Sequence, residues 1–234
     1  MPRGAPFSLF LLAVLVAAFL LVAPLLLLGV VGGAFARLGF STLQVVLLLA
    51  LTLAGSFVNI PVAHLRSELP YGEAVRLPRG FMLQQLYRVP SFVSETTVAV
   101  NLGGAVVPSL VSLVLVLAAV RMGGPGVLAP IGLGVLGVTL LVRLVARPVP
   151  GLGITTPFFV PPLCAALAGI LLSGGVPWMG PVIGYVSGTL GTLVGADLLL
   201  WREFPRLGAR VVSIGGAGTF DGIFLAGVIA ALLA

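Results

Sequence analysis

The stretch GYVSGTLGTLVGADLLLW, Gly184–Trp201, decides how the chain is read. It is apolar and makes up most of a segment, 177–200, long enough to cross a hydrocarbon core of about 30 Å at ~1.5 Å per helical residue. Gly184, Gly188, Gly191 and Gly195 recur at i, i+4, i+7 and i+11, a stripe that lets one helix approach a neighbour closely. Near its end stands a carboxylate, Asp197. Placing such a group in hydrocarbon costs on the order of 3 kcal/mol, so an intramembrane acid is a functional candidate.

The rest of the chain has the same character. Of 234 residues, 59% are hydrophobic and 8% charged, too little polar surface to cover a soluble core. Seven segments, 7–32, 39–63, 99–120, 124–146, 154–174, 177–200 and 212–234, each reach the ~20 residues a span requires. The expectation is an all-α polytopic membrane helix bundle of about seven transmembrane helices, one domain over 1–234 in a prokaryotic inner membrane. The first segment precedes an Ala34–Ala36 triplet resembling a signal cleavage site. Its apolar run is about twice the usual signal length, which favours an uncleaved helix.

The net charge of +6 comes from arginine alone, since the chain has no lysine. Ten of the twelve arginines fall on one side of a seven-span layout, and only Arg37 and Arg121 on the other. That bias follows the positive-inside rule, predicts the N-terminus inside and the C-terminus outside, and argues against a nucleic-acid partner. A re-entrant fifth span would reduce the bias, so 154–174 is kept as a span whose entry Pro157, Pro161 and Pro162 make irregular. Residues 64–98 form the long polar stretch between spans two and three, mixing arginines with Phe81, Met82, Leu86 and Tyr87. It reads as an interfacial amphipathic helix or hairpin on the cytoplasmic side, or as a solvated loop.

Much chemistry is excluded. Without lysine there is no phosphate-binding Walker loop and no Schiff-base nucleophile. One His64 and one Cys164 make no zinc site, the glycine clusters follow no soluble strand, and no haem ligand set is spaced for use. No metal and no cofactor is expected.

Four of the six acids, Glu68, Glu73, Glu95 and Glu203, fall in loops; Asp197 and Asp221 fall inside spans six and seven. Asp197 precedes Trp201 by four residues, about 6 Å along a helix, while the GGAG run before Asp221 favours an unwound entry. Spans joined by a short loop are usually neighbours, so the pair within 177–234 can present both carboxylates to one pocket. Two close carboxylates share a proton, as activation of a water by one acid with help from another requires. The structural alternatives are an N-cap for Asp221 and an ion pair from Asp197 to Arg202.

The final SIGGAGTFDGIFLAGVIAALLA resembles the seventh helix of presenilin and signal-peptide-peptidase proteins, whose GxGD motif opens that helix. ADLLLW, Ala196–Trp201, is similar to their sixth-helix aspartate and the bulky residues after it. The resemblance implies an intramembrane aspartyl peptidase with catalytic Asp197 and Asp221, a transmembrane peptide as substrate, and Gly216, Gly218 and Thr219 in the motif loop. It covers about the last 60 residues. Thr219 stands where GxGD has its aspartate, and Ala196 where a tyrosine usually precedes the sixth-helix acid. Over its whole length the chain resembles a family of prokaryotic multi-pass membrane proteins without assigned function, through SFVNIPV, VNLGGAVVP, ITTPFFVPPL, PVIGYVSGTLGT and GGAGTFDGIFLAG.

Two other functions use the same residues. A proton- or cation-coupled transporter would bind a small ion at Asp197 and Asp221 beside broken helices, with Asn59 and Asn101 as further ligands. Tyr185, Ser187 and Thr189 would line its approach. A non-enzymatic membrane scaffold would use the arginines of 64–98 on anionic headgroups and leave the two intramembrane acids without a role.

Overall fold

The computed structural model describes residues 12, 14, 16, 28–68, 93–149, 153–216 and 222–234. Most of them are helical. Three helical stretches, Leu102–Gly123, Pro125–Val145 and Met179–Leu207, are long and apolar enough to cross a membrane. Shorter apolar helices accompany them at Leu28–Arg37 (α1), Thr42–Gly55 (α2), Val160–Leu172 (α5) and Gly222–Leu233 (α7).

Local sequence explains the breaks. Helix α1 stops where Gly39 takes φ +85°. The N–H of Gly39 donates to Ala36 C=O and that of Phe40 to Phe35 C=O, both at 3.0 Å. This is the glycine-terminated closing turn, with its usual apolar contact supplied by the Phe35 and Phe40 rings at 5.4 Å. Ser41 then caps α2: its backbone N–H donates to Gln44 Oε1 at 2.8 Å and its hydroxyl accepts from Gln44 N–H. At the other end of the chain the Arg37 guanidinium donates to Leu232 C=O. A cation thus meets the negative end of the α7 dipole.

Helix α6, Met179–Thr192, is the axis of the bundle. Of its fourteen residues only Leu190 escapes burial. It packs on α3 (Val107–Gly123), α4 (Leu128–Val145), α5 and α7. The glycine stripe is split between two of these neighbours. A Cβ at Gly184 or Gly188 would lie 2.9 Å from Ala230 O or 2.7 Å from Ala226 O, both backbone atoms of α7. A Cβ at Gly191 would lie 2.7 Å from Val138, and one at Gly195 2.6 Å from Thr139 O, both on α4. Without side chains, the helix backbones come close enough for dispersion and weak Cα–H···O contacts to hold them.

The all-α expectation is corrected. The described residues include a three-stranded sheet in the order β1–β2–β5, from Asn59–Glu68, Val93–Asn101 and Val211–Ile214, and a two-stranded ladder of Arg147–Val149 (β3) with Gly153–Thr155 (β4). β1 and β2 run antiparallel from Asn59↔Asn101 to Glu68↔Val93, with an irregularity between Pro61 and Ala63. β5 adds in parallel to β2, Thr97↔Val211 to Val100↔Ile214. Proposed spans two, three, five and seven therefore begin or end in strand. Their apolar runs continue through β-branched residues whose hydrophobicity is indistinguishable from that of a helix end. Of segment 64–98, residues 64–68 pair with 93–97 as antiparallel strands; residues 69–92 lie outside the described residues.

The sheet is welded to the bundle. Val98, Ala105, Phe204, Leu207 and Ile214 form a buried cluster between it and the 3-10 stretch Leu198–Leu207. Asn101, 1% exposed, ends β2 and caps the π turn Leu102–Val106, its Oδ1 accepting from Gly104 N–H at 2.7 Å. Its amide donates to Ser56 C=O at 2.8 Å and Asn59 Oδ1 at 3.1 Å. Asn101→Leu would leave the buried Gly104 N–H without its acceptor and remove the bonds to Ser56 C=O and Asn59 Oδ1. It is expected to lower stability by ~3 kcal/mol in chemical denaturation of the micellar protein, and a loss below ~1 kcal/mol would contradict this account.

Candidate functional site

Helix α6 does not continue as α-helix to its acid. At Leu193 it widens into a π turn, Leu193–Asp197, closed by Leu198 N–H donating to Leu193 C=O. A tighter 3-10 stretch follows. Such π insertions are costly in a regular helix and concentrate where a side chain must be re-aimed. Here the turn delivers Asp197.

Asp197 Oδ2 accepts from the backbone N–H of Gly215 at 2.9 Å. Gly215 follows β5 directly and takes φ +84°, a left-handed conformation that costs an L-residue about 1–2 kcal/mol. A Cβ there would also stand 2.6 Å from Ala105 N. Gly215→Ala is accordingly expected to cost ~3 kcal/mol, read by thermal unfolding, because strain and collision add. A melting temperature equal to wild type would refute that geometry.

The strand that presents Gly215 is pinned in turn. Ser213 Oγ donates to Asn59 Oδ1 at 2.6 Å, the same oxygen that receives the Asn101 amide. Asn59 and Asn101 thus hold the root of the sheet together, and the sheet holds the donor to the carboxylate.

A cavity of about 580 Å³ opens beside Asp197. Its walls come from β4 (Gly153, Ile154), the end of α6 (Thr192), the 3-10 stretch (Phe204, Leu207), β5 (Val212, Ser213) and the start of α7 (Gly222, Ile223). Among the described residues lining it, Asp197 is the only ionisable one. Among the described residues the chemistry available is therefore one carboxylate, a few hydroxyls and backbone groups.

Of the residues singled out from sequence, Asp197 and Gly216 line this cavity. Asp221, Gly218 and Thr219 lie outside the described residues, but Gly222, which follows Asp221, is a lining residue. Tyr185 is fully buried in the main core, its ring 5.7 Å from that of Phe35. Asn59 and Asn101 are occupied at the sheet. Sequence reasoning passed over Gly215, Ser213 and Thr192. Gly215 had a signal, since paired glycines before a helix announce an unusual turn; Thr192 had none, because five residues before Asp197 is a different face of an α-helix.

No curated protein and no solved structure matches the chain. A family model does, along residues 53–233, and these include both halves of the sheet and the whole cavity wall. The chain belongs to the family described as Protein of unknown function (DUF1614).

Proposed function

We propose that the protein is an intramembrane aspartyl hydrolase, a peptidase acting on transmembrane peptides through Asp197 and Asp221. One observation carries the reading: Asp197 and Gly222, the neighbour of Asp221, border the same cavity. In the proposed reaction one carboxylate takes a proton from water while the water oxygen bonds to the scissile carbonyl carbon. The other, protonated, donates to the carbonyl oxygen; the C–N bond then breaks and the amine leaves with a proton. The Gly215 N–H, donating to Asp197 Oδ2, holds that carboxylate in place.

The proposed setting is a prokaryotic plasma membrane, with seven spans, the N-terminus inside and the C-terminus outside. The Arg37–Leu232 hydrogen bond supports an odd span count, since it joins the C-terminal ends of the first and last helices, which then run the same way. The test is cleavage of single-span peptides by the reconstituted protein, with Asp197→Asn and Asp221→Asn as controls. Inactivity of the wild type across a broad peptide set would defeat the proposal.

A second reading, proton- or cation-coupled transport, draws on the break in α6: π and 3-10 backbone beside an acid is the kind of interrupted helix that binds ions in transporters. Ion uptake into proteoliposomes that is lost in Asp197→Asn, without cleavage, would favour it.

A further inference from the structure

Helices α4 and α6 run side by side in the same direction. A Cβ at Gly191 would meet Val138 of α4 at 2.7 Å, and one at Gly195 would meet Val142, a turn further along both helices, at 3.0 Å. Beyond that contact Val142 and Ala146 share a buried cluster with Leu200, and β3 packs on the 3-10 stretch Leu198–Leu207. The arginines of these elements therefore leave the bundle at one end: Arg143 from α4, Arg147 from β3 and Arg202 from the 3-10 stretch.

All three are exposed, and none forms an ion pair among the described residues. Glu203, beside Arg202, is already taken by Arg206 at 2.8 Å. Trp201 is exposed as well, and an indole at the end of an apolar helix marks the headgroup level of a bilayer. Guanidinium groups without carboxylates at that level fit a phosphate, which they bind with paired N–H donors.

An apolar groove of about 250 Å³ lies beside them, between α4 and α5. Leu133, Gly137 and Leu141 line it from α4, and Cys164, Leu167 and Leu171 from α5. A Cβ at Gly137 would meet nothing within 4 Å, so the missing side chain keeps the middle of the groove open. The β3–β4 ladder joins the end of α4 to the start of α5. Leu141 and Cys164 thus mark the end of the groove nearest the arginines.

A free phosphate would use the arginines and ignore the groove, and an apolar helix would do the reverse. A phospholipid uses both. We infer that this end of the bundle binds one anionic phospholipid: Arg143, Arg147 and Arg202 hold its phosphodiester, and an acyl chain lies in the α4–α5 groove. An anionic headgroup fits better than a zwitterionic one, which brings a cation of its own to a cluster that lacks a carboxylate. The site is separate from the proposed hydrolase chemistry, because none of these residues lines the cavity beside Asp197.

The test places the full chain in nanodiscs holding equal amounts of phosphatidylglycerol and phosphatidylcholine with the same acyl chains. Native mass spectrometry then counts the lipids that stay on the released protein. Wild type is expected to keep one phosphatidylglycerol, favoured about tenfold over phosphatidylcholine. Combining Arg143→Gln, Arg147→Gln and Arg202→Gln should erase that preference. Arg121→Gln should stay within about twofold of wild type, since Arg121 ends α3 and therefore lies at the opposite end of the bundle from Arg143. Gly137→Phe fills the groove with every charge in place and should lower retention about tenfold. Glycerol phosphate, a headgroup without chains, should not displace the lipid.

Equal retention of the two lipids by wild type would overturn the assignment without recourse to any variant. So would an unchanged preference in the triple variant, or its loss in Arg121→Gln. Wild-type retention in Gly137→Phe, or displacement by glycerol phosphate, would show that an anion alone is bound and overturn the lipid site. Melting temperatures of the variants, expected to match wild type because the substituted arginines have no partners to lose, confirm that folded proteins are compared.

Discussion

If the protein is the proposed hydrolase, Asp197→Asn is expected to reduce peptide cleavage by about 10⁴-fold or more, on the scale seen when a group essential to proton transfer is removed. The substitution is nearly isosteric, and the Asn carbonyl oxygen can still accept from Gly215 N–H, so the turn at 215–216 keeps its partner. What disappears is the charge and the capacity to take a proton from water. The melting temperature should therefore change little while activity vanishes. Asp221→Asn should match it, because a shared-proton pair fails when either member is lost. A variant retaining a tenth of wild-type activity at Asp197 would remove that residue from the chemistry.

A large loss of stability is expected at Gly188→Val. The new Cβ would lie 2.7 Å from Ala226 O, 2.9 Å from Ala226 C and 3.0 Å from Gly227 N. All three are backbone atoms, so no side chain can swing aside, and α7 as a whole must move. Overpacking at a yielding site costs about 1–3 kcal/mol, and the rigid partner here puts the expected loss at the top of that range or beyond it. Because α7 begins at the cavity, activity should fall with stability. Gly137→Ala supplies the contrast, since a Cβ there meets nothing within 4 Å and helix propensity improves by ~1 kcal/mol. Denaturation in mixed micelles checks both. Equal stability of Gly188→Val and Gly137→Ala would show that α6 and α7 do not touch as described.

Membrane character and the positions of the helices were legible because they rest on composition and apolar runs, which are local properties. Among the described residues, each of the seven expected segments overlaps a helix of the structure, the first only at its C-terminal end. The glycine stripe was legible as a packing device, but its division between α7 and α4 was not, since the period locates a face without naming its neighbours. The strands were lost for a related reason. Residues such as Val98–Val100 and Val211–Ile214 are as apolar as a span, and only their partners in register reveal extended backbone.

Asp197 stood out in the linear chain because a carboxylate among leucines and valines demands a reason whatever surrounds it. Its partners did not. Gly215 is eighteen residues away and contributes a backbone N–H, a group every residue but proline carries; Asn59 is more than a hundred residues away and acts by holding Ser213. Thr192 joins the cavity only because the helix widens between it and the acid. The sequence alone determined that this chain is built of membrane-type helices and which acid lies among them, because burial of charge depends on what a residue is. Only the tertiary structure decided what faces that acid, because backbone donors, register and helix width depend on where the chain returns.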